Sequence, residues 1–133
     1  MIEHFLGDWQ LLPERADIEF GSPPVSGHCL ISKEEDDLLV ISFFSKNEKN
    51  VEKKHHYEQV PDGKFRPYTG KGSGDEDCLE LKKPNFLEAI ILKDSEVFFS
   101  KTLEIKPDGC LKLVMTSALP SHELVSNTYY FEK

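Results

Sequence analysis

The sequence predicts an all-β domain: one antiparallel sheet of about eight to ten strands, wound up-and-down into a barrel with little or no helical lid. Three observations predict it. Apolar and polar residues alternate with a period of two, as where Leu111, Leu113 and Met115 interleave with Lys112 and Thr116. Stretches rich in β-branched and aromatic residues recur at 38–44, 97–105 and 124–131. Short polar turns separate such stretches, and no run of ten or more residues keeps a capped i, i+3, i+4, i+7 apolar stripe.

Taken in order, the strands are expected near residues 5–12, 27–33, 37–45, 51–59, 64–69, 77–83, 86–93, 96–105, 110–117 and 123–132. The first is followed by 13–26, where Gly21, Pro23 and Pro24 exclude a long helix and leave at most a helical turn near 14–18. Acidic residues 34–37 separate the second and third strands, and 46–50 the third and fourth. Pro61-Asp62-Gly63 and Pro107-Asp108-Gly109 combine a fixed φ with a residue free to take positive φ, as turns require. Residues 88–92 could start a helix, but Lys93-Asp94-Ser95 ends it early and reads as a hairpin turn. Thr69 to Asp77 reads TGKGSGDED, a polar loop. Residues 1–133 show no boundary and no repeat, so a single domain is expected. An open meander would leave two long unpaired edges, and closure into a barrel removes them.

Composition narrows the function. Twenty-four acidic against 16 basic residues give a net charge of −8, which disfavours nucleic acid and anionic membrane surfaces as partners. No run of 18 apolar residues exists, so no membrane span is expected. Cys29, Cys78 and Cys110 cannot all pair within one chain, and the start lacks a basic, then apolar, signal pattern. Both point to a reducing, cytoplasmic location.

The opening Phe5-Leu6-Gly7-Asp8-Trp9 resembles the F-x-G-x-W start of the intracellular fatty-acid-binding proteins, and lipocalins of the same calycin group begin with a similar G-x-W. Residues 108–133, DGCLKLVMTSALPSHELVSNTYYFEK, resemble that family's last two strands, and 28–61 its second to fourth. The resemblance implies a ligand-enclosing barrel in which Gly7 lets the first strand bend closely and Trp9 plugs the closed end. It departs from the family in three ways. Residues 13–26 are too short and proline-rich for the helix-turn-helix lid. The Arg-x-Tyr that holds a carboxylate on the last strand is matched by Thr128 and Tyr130, without the arginine. The other interior arginine aligns near Leu103, again without charge.

A carboxylate buried without a cation costs several kcal/mol, so a ligand in the family's position is expected to be small and mainly apolar; a ligand-free, packed interior is equally compatible with the sequence. Tyr130 and Thr128 are the expected polar contacts, with Trp9, Leu113 and Met115 as lining or plug. No cofactor and no metal are expected. His55 and His56 are adjacent on a strand and point to opposite faces, so they do not share an ion; His55 shares its face with Tyr57, and His28 and Cys29 approach from another strand. No G-x-S-x-G, H-E-x-x-H, C-x-x-C or phosphate-loop spacing occurs, so binding rather than catalysis is expected. The runs Phe43-Phe44, Phe98-Phe99 and Tyr129-Tyr130-Phe131 send alternate rings outward. The rival expectation is therefore a protein-interaction or homodimer module with an outer aromatic surface.

Overall fold

The computed structural model describes residues 2–69 and 74–133. Eleven strands form among them: β1 (Gly7–Leu11), β2 (Asp17–Ile18), β3 (Pro24–Lys33), β4 (Leu39–Asn47), β5 (Glu52–Gln59), β6 (Arg66–Pro67), β7 (Glu76–Lys83), β8 (Phe86–Lys93), β9 (Glu96–Ile105), β10 (Leu111–Ala118) and β11 (Leu124–Glu132). All ten expected strands are present. The first is shortened because Ile2–Phe5 wind into a 3₁₀ turn that buries Phe5. The fifth shrinks to the two residues of β6. The expected helical turn is the 3₁₀ segment Pro13–Arg15, and the extra strand β2 follows it. Of the polar loop expected at 69–77, residues 70–73 lie outside the described residues, and its end forms the start of β7.

All described pairings are antiparallel, in the spatial order β5-β4-β3-β1-β11-β10-β9-β8-β7-β6. The chain's two ends meet in the middle of this order, where Leu11 pairs with Phe131. β5 and the loop after it lie along β7 across a seam that no strand ladder closes. Instead, Gln59 Nε2 donates to Asp77 Oδ2 at 3.0 Å, the Gly63 amide donates to the Leu79 carbonyl at 2.9 Å, and Asp62 bridges Glu80. The barrel thus closes along one wall through side chains and a loop.

Turn chemistry sets the registers. At the β8–β9 hairpin, Asp94 and Ser95 take φ of 52° and 66°, the twist that matches two antiparallel strands. Gly7 has φ +137°, which lets β1 depart sharply from the preceding turn. Gly27 on β3 serves a different need, since a Cβ there would overlap the Phe44 carbonyl oxygen of β4.

The pleat then sorts side chains by parity. The cluster of Phe5, Trp9, Ile31, Leu39, Leu79, Leu87, Leu103, Leu111, Leu113 and Phe131 fills one end of the barrel. Trp9 Nε1 donates to the Phe5 carbonyl at 2.8 Å, so the indole's one polar atom is satisfied within the plug. At the other end no lid helix forms. Its place is taken by a strap running from β2 to β3. Asn127 of β11 pins it: its Oδ1 accepts from the amides of Glu19 (2.9 Å) and Phe20 (3.1 Å), and its Nδ2 donates to the Phe20 carbonyl at 3.0 Å.

Candidate functional site

Above the apolar plug, the inward positions of the strands change character. On β5 they are His55, Tyr57 and Gln59, which pair in register with Phe43, Ile41 and Leu39 of β4. On β7 the inward residue is Asp77, opposite Ile91. On β9 the inward series is Phe99, Lys101, Leu103, so a lysine occupies a position that the alternation reserves for the core. Lys101 is 2% exposed, between Ala89 of β8 and Met115 of β10 in register.

The Lys101 Nζ sits over the ring of Tyr57, 3.3 Å from its centroid, and makes no hydrogen bond among the described residues. Loss of water drives its pKa down to about 7, against the opposing pull of Cys29 and Asp77. A second buried polar atom, Gln59 Oε1, also has no hydrogen-bond partner among the described residues. Buried polar atoms are almost always paired, so two orphans on the inner walls of one barrel mark a polar locus within an apolar chamber.

The surrounding groups are tuned by the same burial. Desolvation raises the Asp77 carboxyl above its usual range, opposed by the hydrogen bond from Gln59 and by Lys101 and Arg66. Burial pushes the Tyr57 hydroxyl up to about 12 and the Cys29 thiol up to about 12. Desolvation, then the charges of Lys101 and Lys53, lower His55, whose ring stacks on Phe43 at 6.0 Å. Cys29 is therefore an unreactive thiol, and His55 a neutral ring at neutral pH.

Two hollows lie beside this locus, and neither is lined by Lys101 or Gln59 itself. One, of about 180 Å³, opens under the strap and is lined by Phe99, Met115, Asn127, Tyr129 and His55. The other, of about 470 Å³, lies at the edge of β5 along the seam, lined by His55, Tyr57, Tyr68, Thr69 and Asp77 and also by the outward Lys54, His56 and Glu58. Tyr57 and Asp77 belong to the wall of the seam hollow, Phe99 and Met115 to that of the strap hollow. Lys101 touches or neighbours members of both.

The residues expected to line a site are distributed unevenly. Met115 lines the strap hollow, and Leu113 lies one pleat repeat deeper on the same face, fully within the core. Trp9 belongs to the plug and lines neither hollow. Thr128 and Tyr130 pair with Val114 and Lys112 and lie on the outer face, where Tyr130 packs under the Arg15 guanidinium at 4.1 Å. The inward residues of β11 are Asn127 and Tyr129, each one position away. The interior cation is Lys101, two residues before the uncharged Leu103 and on the same face of β9.

His55 and His56 do point to opposite faces: His56 bonds Ser42 (2.7 Å) and Glu58 (3.3 Å) outside. Among the described residues, no three His, Cys, Asp or Glu converge as metal ligands. In the three aromatic runs the outward rings each lie near a cation, Phe44 by Lys54, Phe98 by Lys93 and Tyr130 by Arg15 and Lys112, whereas Phe20 and Phe65 stay exposed. No helix among the described residues is long and apolar enough to cross a membrane.

No family model matches the chain, and no curated protein sequence matches it. Solved structures do. The wild-type fluorescent protein UnaG superposes with a TM-score of 0.58 at 17% identity, covering 100% of both chains. Zebrafish ileal bile acid-binding protein, complexed with cholic acid, superposes at 0.56 and 13% identity over 98% of both chains. With its antiparallel order, its joined termini and its unpaired seam, the chain shares the barrel fold of these two structures.

Proposed function

We propose that the protein binds one small, mainly apolar molecule inside the barrel, with the molecule's polar group against Lys101 and Gln59. The observation that carries this reading is Lys101 itself. A fully buried amine without a hydrogen-bond partner destabilises a fold, and such a cost persists where binding needs it. The fold supports the reading by likeness, since one structural neighbour is named for bile acid binding and was solved with cholic acid.

Size follows from the hollows. An apolar cavity of about 150 Å³ holds a benzene-sized molecule, so the 180 Å³ beneath the strap takes one ring or a short chain. A longer molecule would extend toward the seam. Polarity follows from charge. Asp77 already faces Lys101 electrostatically, so an anionic group brought to the amine meets a carboxylate as well as a cation. A neutral ligand with one acceptor avoids that repulsion. This keeps the expectation of a mainly apolar ligand, but moves its polar contact from β11 to β9 and β5.

The test is fluorescence titration with neutral N-phenyl-1-naphthylamine and anionic 1-anilinonaphthalene-8-sulfonate. Saturable, one-to-one enhancement by the neutral probe, abolished in Met115→Trp, is expected, with weaker enhancement by the anion. No enhancement by either probe, in protein shown folded by circular dichroism, would overturn the proposal.

A further inference from the structure

We propose that Lys101 condenses with an aldehyde group on the bound molecule and holds it as an imine. The inference rests on the binding reading above and names the ligand's reactive group. Geometry is its basis. The Nζ is buried, bonded to no acceptor among the described residues, and stacked on Tyr57, a residue that lines the seam hollow, with the short side chain of Ala89 across the sheet on one side. Lys101 lines neither hollow itself, but its register partner Met115 and the same-face Phe99 line the strap hollow, and Tyr57 and Asp77 line the seam hollow.

Chemistry selects the aldehyde over other polar groups. Only a neutral amine attacks a carbonyl, and burial leaves Lys101 about half neutral near pH 7. An ordinary lysine is neutral to only about one part in a thousand or so at that pH. The competing buried nucleophile, the Cys29 thiol, stays protonated. A carboxylate would face Asp77 with only one cation to hold it, whereas an aldehyde brings no charge.

The step balances without an oxidant or reductant. The Nζ lone pair forms a bond to the carbonyl carbon, and a proton moves from nitrogen to oxygen to give a carbinolamine. The carbon–oxygen bond then breaks, one water leaves, and a carbon–nitrogen double bond remains. A proton from solvent water protonates the departing hydroxyl, and the Asp77 carboxylate then balances the protonated imine. The face of Tyr57 favours that cation as it favours the ammonium. Hydrolysis reverses the step and releases the aldehyde.

The experiment treats the whole protein with benzaldehyde and sodium cyanoborohydride at pH 7, then reads intact mass and peptide maps. A single benzyl group at Lys101, formed at least about tenfold faster than at exposed lysines such as Lys64, is expected. Lys101→Arg and Lys101→Met should lose the rapid adduct. Binding of benzyl alcohol, followed by ligand-observed NMR, separates the two proposals. Alcohol binding with benzyl groups scattered over surface lysines, and Lys101 unmodified, would overturn the imine while leaving the binding reading intact. Failure of both alcohol and aldehyde to bind would overturn both.

Discussion

Lys101 carries a thermodynamic signature that can be read without any ligand. Unfolded, its amine titrates near 10.5; folded, desolvation brings it to about 7. Between those values the unfolded chain holds the additional proton, so this group makes stability rise with pH from about 7 upward. Below that window both states are protonated, and the fold bears the full cost of a buried charge. Lys101→Met keeps the length and removes the charge. The variant should be more stable than wild type by roughly 3–5 kcal/mol at pH 6, the gap narrowing steadily by pH 8.5. Urea denaturation at the two pH values measures it. The groups acting on or packed against Lys101 are Asp77, Cys29, Tyr57 and His55, and they are common to both proteins, so the difference isolates the lysine. A gap that is absent, or that widens with pH, would mean the amine is neutral or solvated in the fold.

At the scale of elements, the strap between β2 and β3 covers the hollow that Met115 lines, and Asn127 holds it together with the Glu19 carboxylate, which accepts from the Ser126 amide at 2.7 Å. Asn127 satisfies two amides and one carbonyl of the strap, while Phe20 at its apex is 60% exposed. Asn127→Ala removes three hydrogen bonds in a partly solvated setting, a loss of about 1–3 kcal/mol. Tyr129, which Asn127 also hydrogen-bonds, loses that contact, and the loss should stay local to the strap and this end of β11. Hydrogen exchange at Glu19 and Phe20 should accelerate about tenfold or more, with the β10 amides unaffected. The same variant should bind N-phenyl-1-naphthylamine faster, since the strap covers the hollow that Met115 lines. Equal acceleration throughout the barrel would show that Asn127 is part of the core instead.

This is also the scale at which the sequence was most and least legible. Strand positions were readable because turn residues and a period of two act locally, and every expected strand from 27–33 onward is found within a few residues, apart from the shortened β6. The missing lid was readable from the prolines of 13–26. Which face of β11 looks inward was not, because Tyr129, Tyr130 and Phe131 are all aromatic and adjacent, so hydrophobicity does not set the parity. A one-residue slip in the matched motif exchanged Thr128 and Tyr130 for Asn127 and Tyr129. Lys101 was hidden for the opposite reason. Its parity was clear from Phe99 and Leu103, but a charged residue is ordinarily assigned outward, and only the folded barrel shows it enclosed. The seam was invisible too, since Gln59 and Asp77 meet across 18 residues of chain.

For the whole molecule, closure depends on the chain's two ends. Phe131 pairs in register with Leu11 of β1 and with Leu111 of β10, and its ring meets Phe43 edge-on at 5.4 Å. It therefore joins the first, the penultimate and the last strands to the wall opposite. Because the seam between β5 and β7 is held by a few side-chain and loop contacts, the sheet is anchored chiefly where β1 meets β11. Truncating Phe131 to Ala leaves a cavity at a fully buried position, at a cost of about 3–5 kcal/mol. Were β11 an independent flap, that cost would appear as fraying of its own amides. If the junction closes the barrel, the cost falls on every strand, since each relies on a sealed core. Hydrogen exchange on Phe131→Ala should then show the slowest amides of β4, β8 and β10 accelerating together, with one cooperative thermal transition at lower temperature. Acceleration confined to 124–132, with the main transition unmoved, would place closure at the seam.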